Sequence, residues 1–255
     1  MSRPEAVSQT VILAAGSGSR LAVSLGDVPK PLATVAGVPL IEHALLHART
    51  SGCIEAIIVI GYQGARVRAA VEAMNPGLAV RFVASPDPAL PNGVSLLAAE
   101  PLAAPCFFLQ MVDHLFADAA LPKLVAAPLD ASEGGRVLVD RAPVNLDLAD
   151  ATKVRLAGPR VSAIGKGLEP WDAIDAGCFV LTHAVFDALR RAPRSEPRSV
   201  SSGMRQLVSR KLLTAVDVDG LAWTDVDTPA DREAAERSLS STATLRAGAG
   251  EAFGA

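Results

Sequence analysis

The sequence predicts an α/β protein: a Rossmann-like, doubly wound and mainly parallel sheet, with a small antiparallel β extension over its ligand cleft. Three observations carry this expectation. Short aliphatic runs alternate with helical patterns through the first half, a glycine-rich loop follows the first run directly, and the second half turns to short runs divided by Gly, Pro and Asp. Half of the residues are hydrophobic and only 4% aromatic, which suits Ala-rich helices on a buried sheet and not a disordered polymer.

The elements follow in order. Thr10 to Ala14 (TVILA) reads as a buried parallel strand. After a Pro-flanked loop, Leu40, Ile41, Ala44, Leu45 and Ala48 recur at helical spacing up to the stop at Ser51-Gly52. Ala56–Ile60 is the next strand, Ala65–Met74 the following helix, and Val80–Ala84 a third strand. Asn75-Pro76-Gly77 ends that helix. Ser95–Ala99 begins a helix after Pro91-Asn92-Gly93, and Cys106–Val112 is a fourth strand that stops at Asp113-His114.

Arg136–Val139, Ala151–Leu156, Arg160–Ile164 and Ile174–Leu181 are the expected antiparallel strands, forming a wall over the crevice. Arg191–Gly203, rich in Pro, Ser and Arg, reads as a mobile loop. Leu212–Val218 and Leu221–Thr224 are late strands, and Pro229–Arg237 is a last helix. One domain over residues 1–240 is expected, with a disordered tail over 241–255.

Charge and cysteine usage limit the functions. A formal net charge of −3 gives no general attraction to nucleic acid or to an anionic membrane, so any phosphate site has to be local. Cys53, Cys106 and Cys178 are scattered and odd in number, as buried thiols in a reducing compartment are. No signal peptide and no membrane-spanning apolar run is expected, which points to the cytoplasm. His43 and His47 stand four apart, but Ala44 occupies the place where a zinc protease motif carries Glu.

The chemistry starts at Leu13-Ala14-Ala15-Gly16-Ser17-Gly18-Ser19-Arg20. Gly16 and Gly18 let the backbone turn tightly and bring N–H groups up to an anion. Arg20 can fork onto phosphate oxygens, and Lys30 within Pro29-Lys30-Pro31-Leu32 adds a compact positive charge. A Walker A loop and a dinucleotide fingerprint both fail here, since Leu21 and a Pro-rich loop stand where they need glycine or Gly-Lys. Asp113 at a strand end, and Asp225 and Asp227 in Trp223-Thr224-Asp225-Val226-Asp227-Thr228-Pro229, are candidate ligands for Mg2+. The competing reading of Asp227-Thr228-Pro229 is a helix N-cap.

LAAGSGSRL with PKPL resembles the signature of the nucleotidyltransferase superfamily that includes sugar-phosphate nucleotidylyltransferases. Asn92-Gly93-Val94-Ser95, Val112-Asp113-His114, Asp150 to Val154, Ile164-Gly165-Lys166, Ile174 to Gly177 and Asp225 to Pro229 follow in an order resembling CTP:inositol-1-phosphate cytidylyltransferases. The resemblance implies a nucleotide-diphospho-sugar transferase fold and transfer of CMP from CTP to a phosphorylated polyol, with Mg2+ and release of pyrophosphate. It implies triphosphate binding by Gly16, Gly18, Arg20 and Lys30, base contacts from Asn92 and Ser95, and metal binding by Asp113 with Asp227. Lys153 would meet the acceptor phosphate, Lys166 would lie beside it, and Asp175 would take the acceptor hydroxyls.

Pro91 and Gln110-Met111-Val112 depart from the family pattern, which has Gly before the Asn and a small residue before the Asp. Other acceptors stay open, among them a sugar 1-phosphate, phosphocholine or a phosphonate, as does UTP. An inactive nucleotide-binding regulator is the rival of another class. Some family members carry a membrane domain that uses the CDP-alcohol. None is expected in this chain, so a separate membrane CDP-alcohol phosphotransferase is the expected downstream partner, and homodimerisation stays open.

Overall fold

A computed structural model describes residues 7–18, 20–21, 26–117, 120–126, 129–130, 132–144 and 146–237. The tail expected over 241–255 lies outside the described residues. The strands are β1 (Gln9–Ala14), β2 (Thr34–Val35), β3 (Val38–Pro39), β4 (Glu55–Ile60), β5 (Ala79–Ala84), β6 (Cys106–Met111) and β7 (His114–Phe116), followed by β8 (Gly135–Asp140), β9 (Lys153–Ala157), β10 (Arg160–Gly165), β11 (Ala173–Thr182), β12 (Leu213–Asp217) and β13 (Trp223–Asp225). The helices are α1 (Leu40–Thr50), α2 (Gly64–Met74), α3 (Asn92–Ala99), α4 (Ala120–Val125), α5 (Ala184–Arg191) and α6 (Val200–Ser209), with α7 over residues 229–237.

Nine strands form one sheet in the order β5-β4-β1-β6-β11-β8-β12-β10-β9. The first four run parallel, and β11 runs antiparallel between β6 and β8. Strand alternation sends Val11 and Leu13 to one face, where they meet Leu96 of α3, Phe186 and Leu189 of α5, and Met204 and Leu207 of α6. Ile12 and Ala14 point the other way, onto Ile41, Ala44 and Leu45 of α1 and Val67 and Val71 of α2. Both faces are therefore covered, as the aliphatic runs require.

The antiparallel extension continues the main sheet and folds back on it. At its free edge β9 pairs with the start of β11, Ala173 opposite Val154 and Ile174 opposite Lys153. Strands β11, β8, β12, β10 and β9 thus close into a ring, with β10 and β12 joined at Arg160 and Thr214. The long β11 makes this feasible, because its register shifts between Asp175 and Phe179 and bends the strand.

Two segments depart from the sequence expectations. The loop expected over 191–203 is cut short by α6, which begins at Val200, with the Ser199 side chain accepting from the Ser202 N–H. The Ser-rich run there is a helix cap followed by Val200, Met204 and Leu207 on one apolar face. Helix α3 likewise starts at Asn92, three residues ahead of the expected Ser95, with Pro91 as its N-cap.

Candidate active site

Sheet order places the site. From β1 the chain winds outward to β4 and β5, then returns to β6 on the other side of β1, so the carboxyl ends of β1 and β6 flank the point where the winding reverses. Residues 15–18 leave β1 there, and Asp113 leaves β6 beside them, tied in by the Val112 N–H on the Leu13 carbonyl at 3.2 Å.

Gly18 has φ +63, and a Cβ on it would lie 2.4 Å from the Cβ of Lys30. Its glycine is thus required twice, by backbone conformation and by the lysine stem packed against it. Lys30 sits in a short 3-10 helix, Lys30–Leu32, stiffened by Pro29 and Pro31, with a side chain only 9% exposed. Its ammonium reaches Asp113 Oδ2 and Asp227 Oδ1, each at 2.5 Å. Burial alone would push the Lys30 pKa down, but the two carboxylates together outweigh it and raise it. Asp113 is the mirror case: burial would raise its pKa, yet Lys30 and His114 hold it well below the usual carboxylate range. Arg20 donates to Asp227 Oδ2 at 2.7 Å and stands 3.8 Å from Asp150.

Asp227 is not the N-cap of α7. Thr228 takes that place, its Oγ1 accepting from the Asp231 N–H at 3.2 Å while Asp231 Oδ2 accepts from the Thr228 N–H at 2.7 Å. This leaves the Asp227 carboxylate for Lys30 and Arg20. The Val226 N–H on the Asp113 carbonyl, at 2.9 Å, brings the two acids together. Asp225, at the end of β13, faces His114 across the β7–β13 pair, and burial raises its pKa. Among the described residues no three His, Cys, Asp or Glu side chains form a metal cage. The acids that share one cation are Asp113 and Asp227.

Two cavities meet here. One, of about 510 Å3, is lined by Leu13, Ala15, Gly16, Gly18, Lys30 and Ser95. Ala14 is buried in the core instead, under α1. The other, of about 570 Å3, is rich in carboxylates, with Asp147, Asp150, Asp175 and Asp225 on its wall beside Lys166. Arg20, Asn92, Met111, His114 and Asp227 line both.

The remaining site residues expected from sequence divide between these walls. Ser95 is buried and shares a 2.9 Å hydroxyl contact with Ser85. The Asn92 side chain accepts from the Val200 N–H at 2.9 Å and so caps α6 across the cleft. Lys166 pairs with Asp150. Burial pushes the Asp175 carboxyl up to about 6, against the opposing Gly177 N–H at 2.8 Å. Lys153 lines neither cavity, and its ammonium pairs with Glu169 at 3.1 Å.

Sequence reasoning gave no role to Leu146 and Asp147, which close one side of the larger cavity ahead of the Asp150 to Val154 motif, or to Trp223 and Ser201, which line it too. The Ser199-x-x-Ser202 cap was the available signal for the α6 start that brings Ser201 there. The three cysteines are free thiols, with Cys53 pushed up to about 12 by burial.

The family described as MobA-like NTP transferase domain matches residues 10–145, more than half of the chain. The bifunctional IPC transferase and DIPP synthase of Rubrobacter xylanophilus is 39% identical over 231 residues, covering 89% of this chain and 51% of the relative. The CMP-5'-(3-aminopropyl)phosphonate synthase of Streptomyces rubellomurinus is 32% identical over 250 residues, 91% of this chain and 39% of the relative. The chain thus spans about half, or less, of the length of these curated relatives. The solved inositol-1-phosphate CTP transferase from T. maritima superposes with a TM-score of 0.81 at 26% identity, over 90% of this chain and 93% of that one.

Proposed function

This chain belongs to the MobA-like NTP transferase domain family, and on that premise we propose that it transfers CMP from CTP to a phosphorylated polyol of the inositol 1-phosphate kind, releasing pyrophosphate. The observation that carries the proposal is the pair of cavities joined at Arg20, His114 and Asp227. One offers a glycine loop and a buried lysine to a triphosphate. The other offers carboxylates to hydroxyl groups, which donate to them, and Lys166 to an acceptor phosphate. The name of the T. maritima neighbour supports the choice of base and acceptor.

A phosphomonoester dianion is already a nucleophile, so no general base is needed. An oxygen of the acceptor phosphate forms a bond to the α-phosphorus, the bond from that phosphorus to the bridging oxygen of the β-phosphate breaks, and pyrophosphate leaves with the electron pair. The N–H groups of Gly16 to Gly18, none of which donates to a backbone carbonyl among the described residues, hold the triphosphate. Arg20 and Lys30 stabilise the charge growing on pyrophosphate. Asp175 and the acids beside it orient the polyol. Lys153, expected at the acceptor phosphate, lies off the cavity on Glu169, whereas Lys166 lines the cavity and would exchange its Asp150 partner for that phosphate.

Asp113 and Asp227 suit Mg2+, because both already reach one cation through hard oxygen donors. When bound, that ion supplies charge neutralisation at the α-phosphate. Asp225 stands behind them, beside His114. Among the described residues no helix is long and apolar enough to cross a membrane. The CDP-alcohol product calls for a downstream enzyme that displaces CMP from it.

Pyrophosphate release across CTP, UTP, GTP and ATP, each with inositol 1-phosphate, glucose 1-phosphate, phosphocholine and an aminoalkyl phosphonate, tests the assignment. Preference for CTP with the inositol ester supports it. Absence of release from every pair, with folded protein, refutes it. Preference for the phosphonate would favour the acceptor class named by the Streptomyces relative.

A further inference from the structure

His114 stands where the two cavities join, and the fold devotes several groups to holding it there. Strand β7 begins with it and pairs with β13, Asp225 opposite His114 and Trp223 opposite Phe116. Its ring lies nearly parallel to the Trp223 indole, with centroids 6.1 Å apart and planes at 12°. The indole is itself fixed, donating from Nε1 to buried Asp140 at 2.8 Å. On the opposite wall the chain makes room: a Cβ on Gly177 would lie 2.3 Å from His114 Nε2.

The two ring nitrogens meet different partners. Nδ1 is 2.6 Å from Asp113 Oδ1. Both carboxylate oxygens are acceptors, Oδ2 taking the Lys30 ammonium at 2.5 Å, so the 2.6 Å contact at Oδ1 is made by a proton on Nδ1. That bond turns the other oxygen, Oδ2, onto Lys30. Nε2 has no protein partner among the described residues and borders the larger cavity at Gly177.

We propose that His114 is a two-ended positioning residue: Nδ1 fixes the Asp113 carboxylate for the triphosphate side, and Nε2 meets the acceptor on the other. The second half rests on the transfer reading of the site. The first half rests on the Asp113 contact alone. An outer-sphere partner of this kind changes metal affinity or activity by about 10–100-fold when lost.

The test separates the two nitrogens. His114→Asn keeps an amide N–H near the Nδ1 position and loses Nε2, whereas His114→Gln does the reverse. Mn2+ affinity, followed by electron paramagnetic resonance with α,β-methylene-CTP present, needs no turnover. It is expected to weaken about 10–100-fold more in His114→Gln than in His114→Asn. The acceptor KM is expected to rise more in His114→Asn, and kcat to fall more in His114→Gln.

Wild-type turnover with CTP and inositol 1-phosphate is measured first. Its absence counts against the functional reading, while the Mn2+ series still judges His114. If either variant fails to fold, a nitrogen–proton NMR spectrum of the unaltered protein decides: a ring protonated at Nδ1 supports the proposal, and one protonated at Nε2 alone overturns it. Equal weakening in both variants, or none in either, also overturns it.

Discussion

Neutralising Asp175 is expected to stabilise the protein while damaging its chemistry. Burial raises the folded carboxyl to about 6, whereas an unfolded aspartate titrates near about 3.9. The shift of roughly two units corresponds to about 3 kcal/mol at ~1.36 kcal/mol per unit, a ceiling because the residue is only partly buried. The sign follows from proton binding. Below about pH 4 the carboxyl is protonated in both states and exacts no penalty. As pH rises through about 6 the folded state has to ionise an acid that its surroundings disfavour, and stability is lost. In Asp175→Asn the amide oxygen still accepts from the Gly177 N–H, so the turn survives without the charge. Urea unfolding of both proteins from pH 4 to pH 8 checks this. The variant's advantage should be near zero at the acid end and grow to about 1.5–3 kcal/mol above pH 6, while its acceptor KM rises. A difference that stays constant with pH would refute the argument, because the stabilisation would then owe nothing to the carboxyl's ionisation.

Lys30→Met is expected to lower kcat/KM about 100–1,000-fold, and to destabilise the protein at neutral pH by leaving Asp113 and Asp227 without their shared cation. Steady-state kinetics and thermal melting read the two effects. Gly18→Ala places a Cβ against the Lys30 stem at positive φ. It should cost about 1–3 kcal/mol in denaturant unfolding and reduce turnover in parallel by displacing that lysine. Asn92→Ala removes the acceptor that caps the Val200 N–H. A loss of about 1 kcal/mol, seen as a Tm lower by about 2–4 °C, should come with a raised KM for CTP.

The parallel half of the fold was legible because β1, β4 and β6 are aliphatic runs whose alternate residues serve two covered faces, and the phosphate loop declares itself by glycine spacing. Helix α6 was not, because Pro, Ser and Arg before it imitate a loop, although Ser199 is its cap. Ring closure by β9 on β11 depends on pairing between distant segments, which local pattern does not encode. Within the candidate site, Lys30 could be read from its place between two prolines after the glycine loop, and Asp113 from a strand end. Asp227 was legible as a candidate as well, and the Thr228 cap removes the competing reading of it as the N-cap of α7. Lys153 and Lys166 are equally plausible on paper, and the pairing of Lys153 with Glu169 separates them in space. The setting of His114 is not encoded beside it, because the groups that hold it, Trp223 and Gly177, lie far along the chain.

The central claim is that an acceptor phosphate joins CMP in one displacement. Phosphorus-31 NMR of MgCTP, inositol 1-phosphate and the protein in one tube tests it directly. The expected result is a new pair of coupled diphosphate signals, rising in step with pyrophosphate and one for one with loss of the acceptor ester. Hydrolysis of CTP without that coupled pair, or an acceptor signal that never declines, would contradict it.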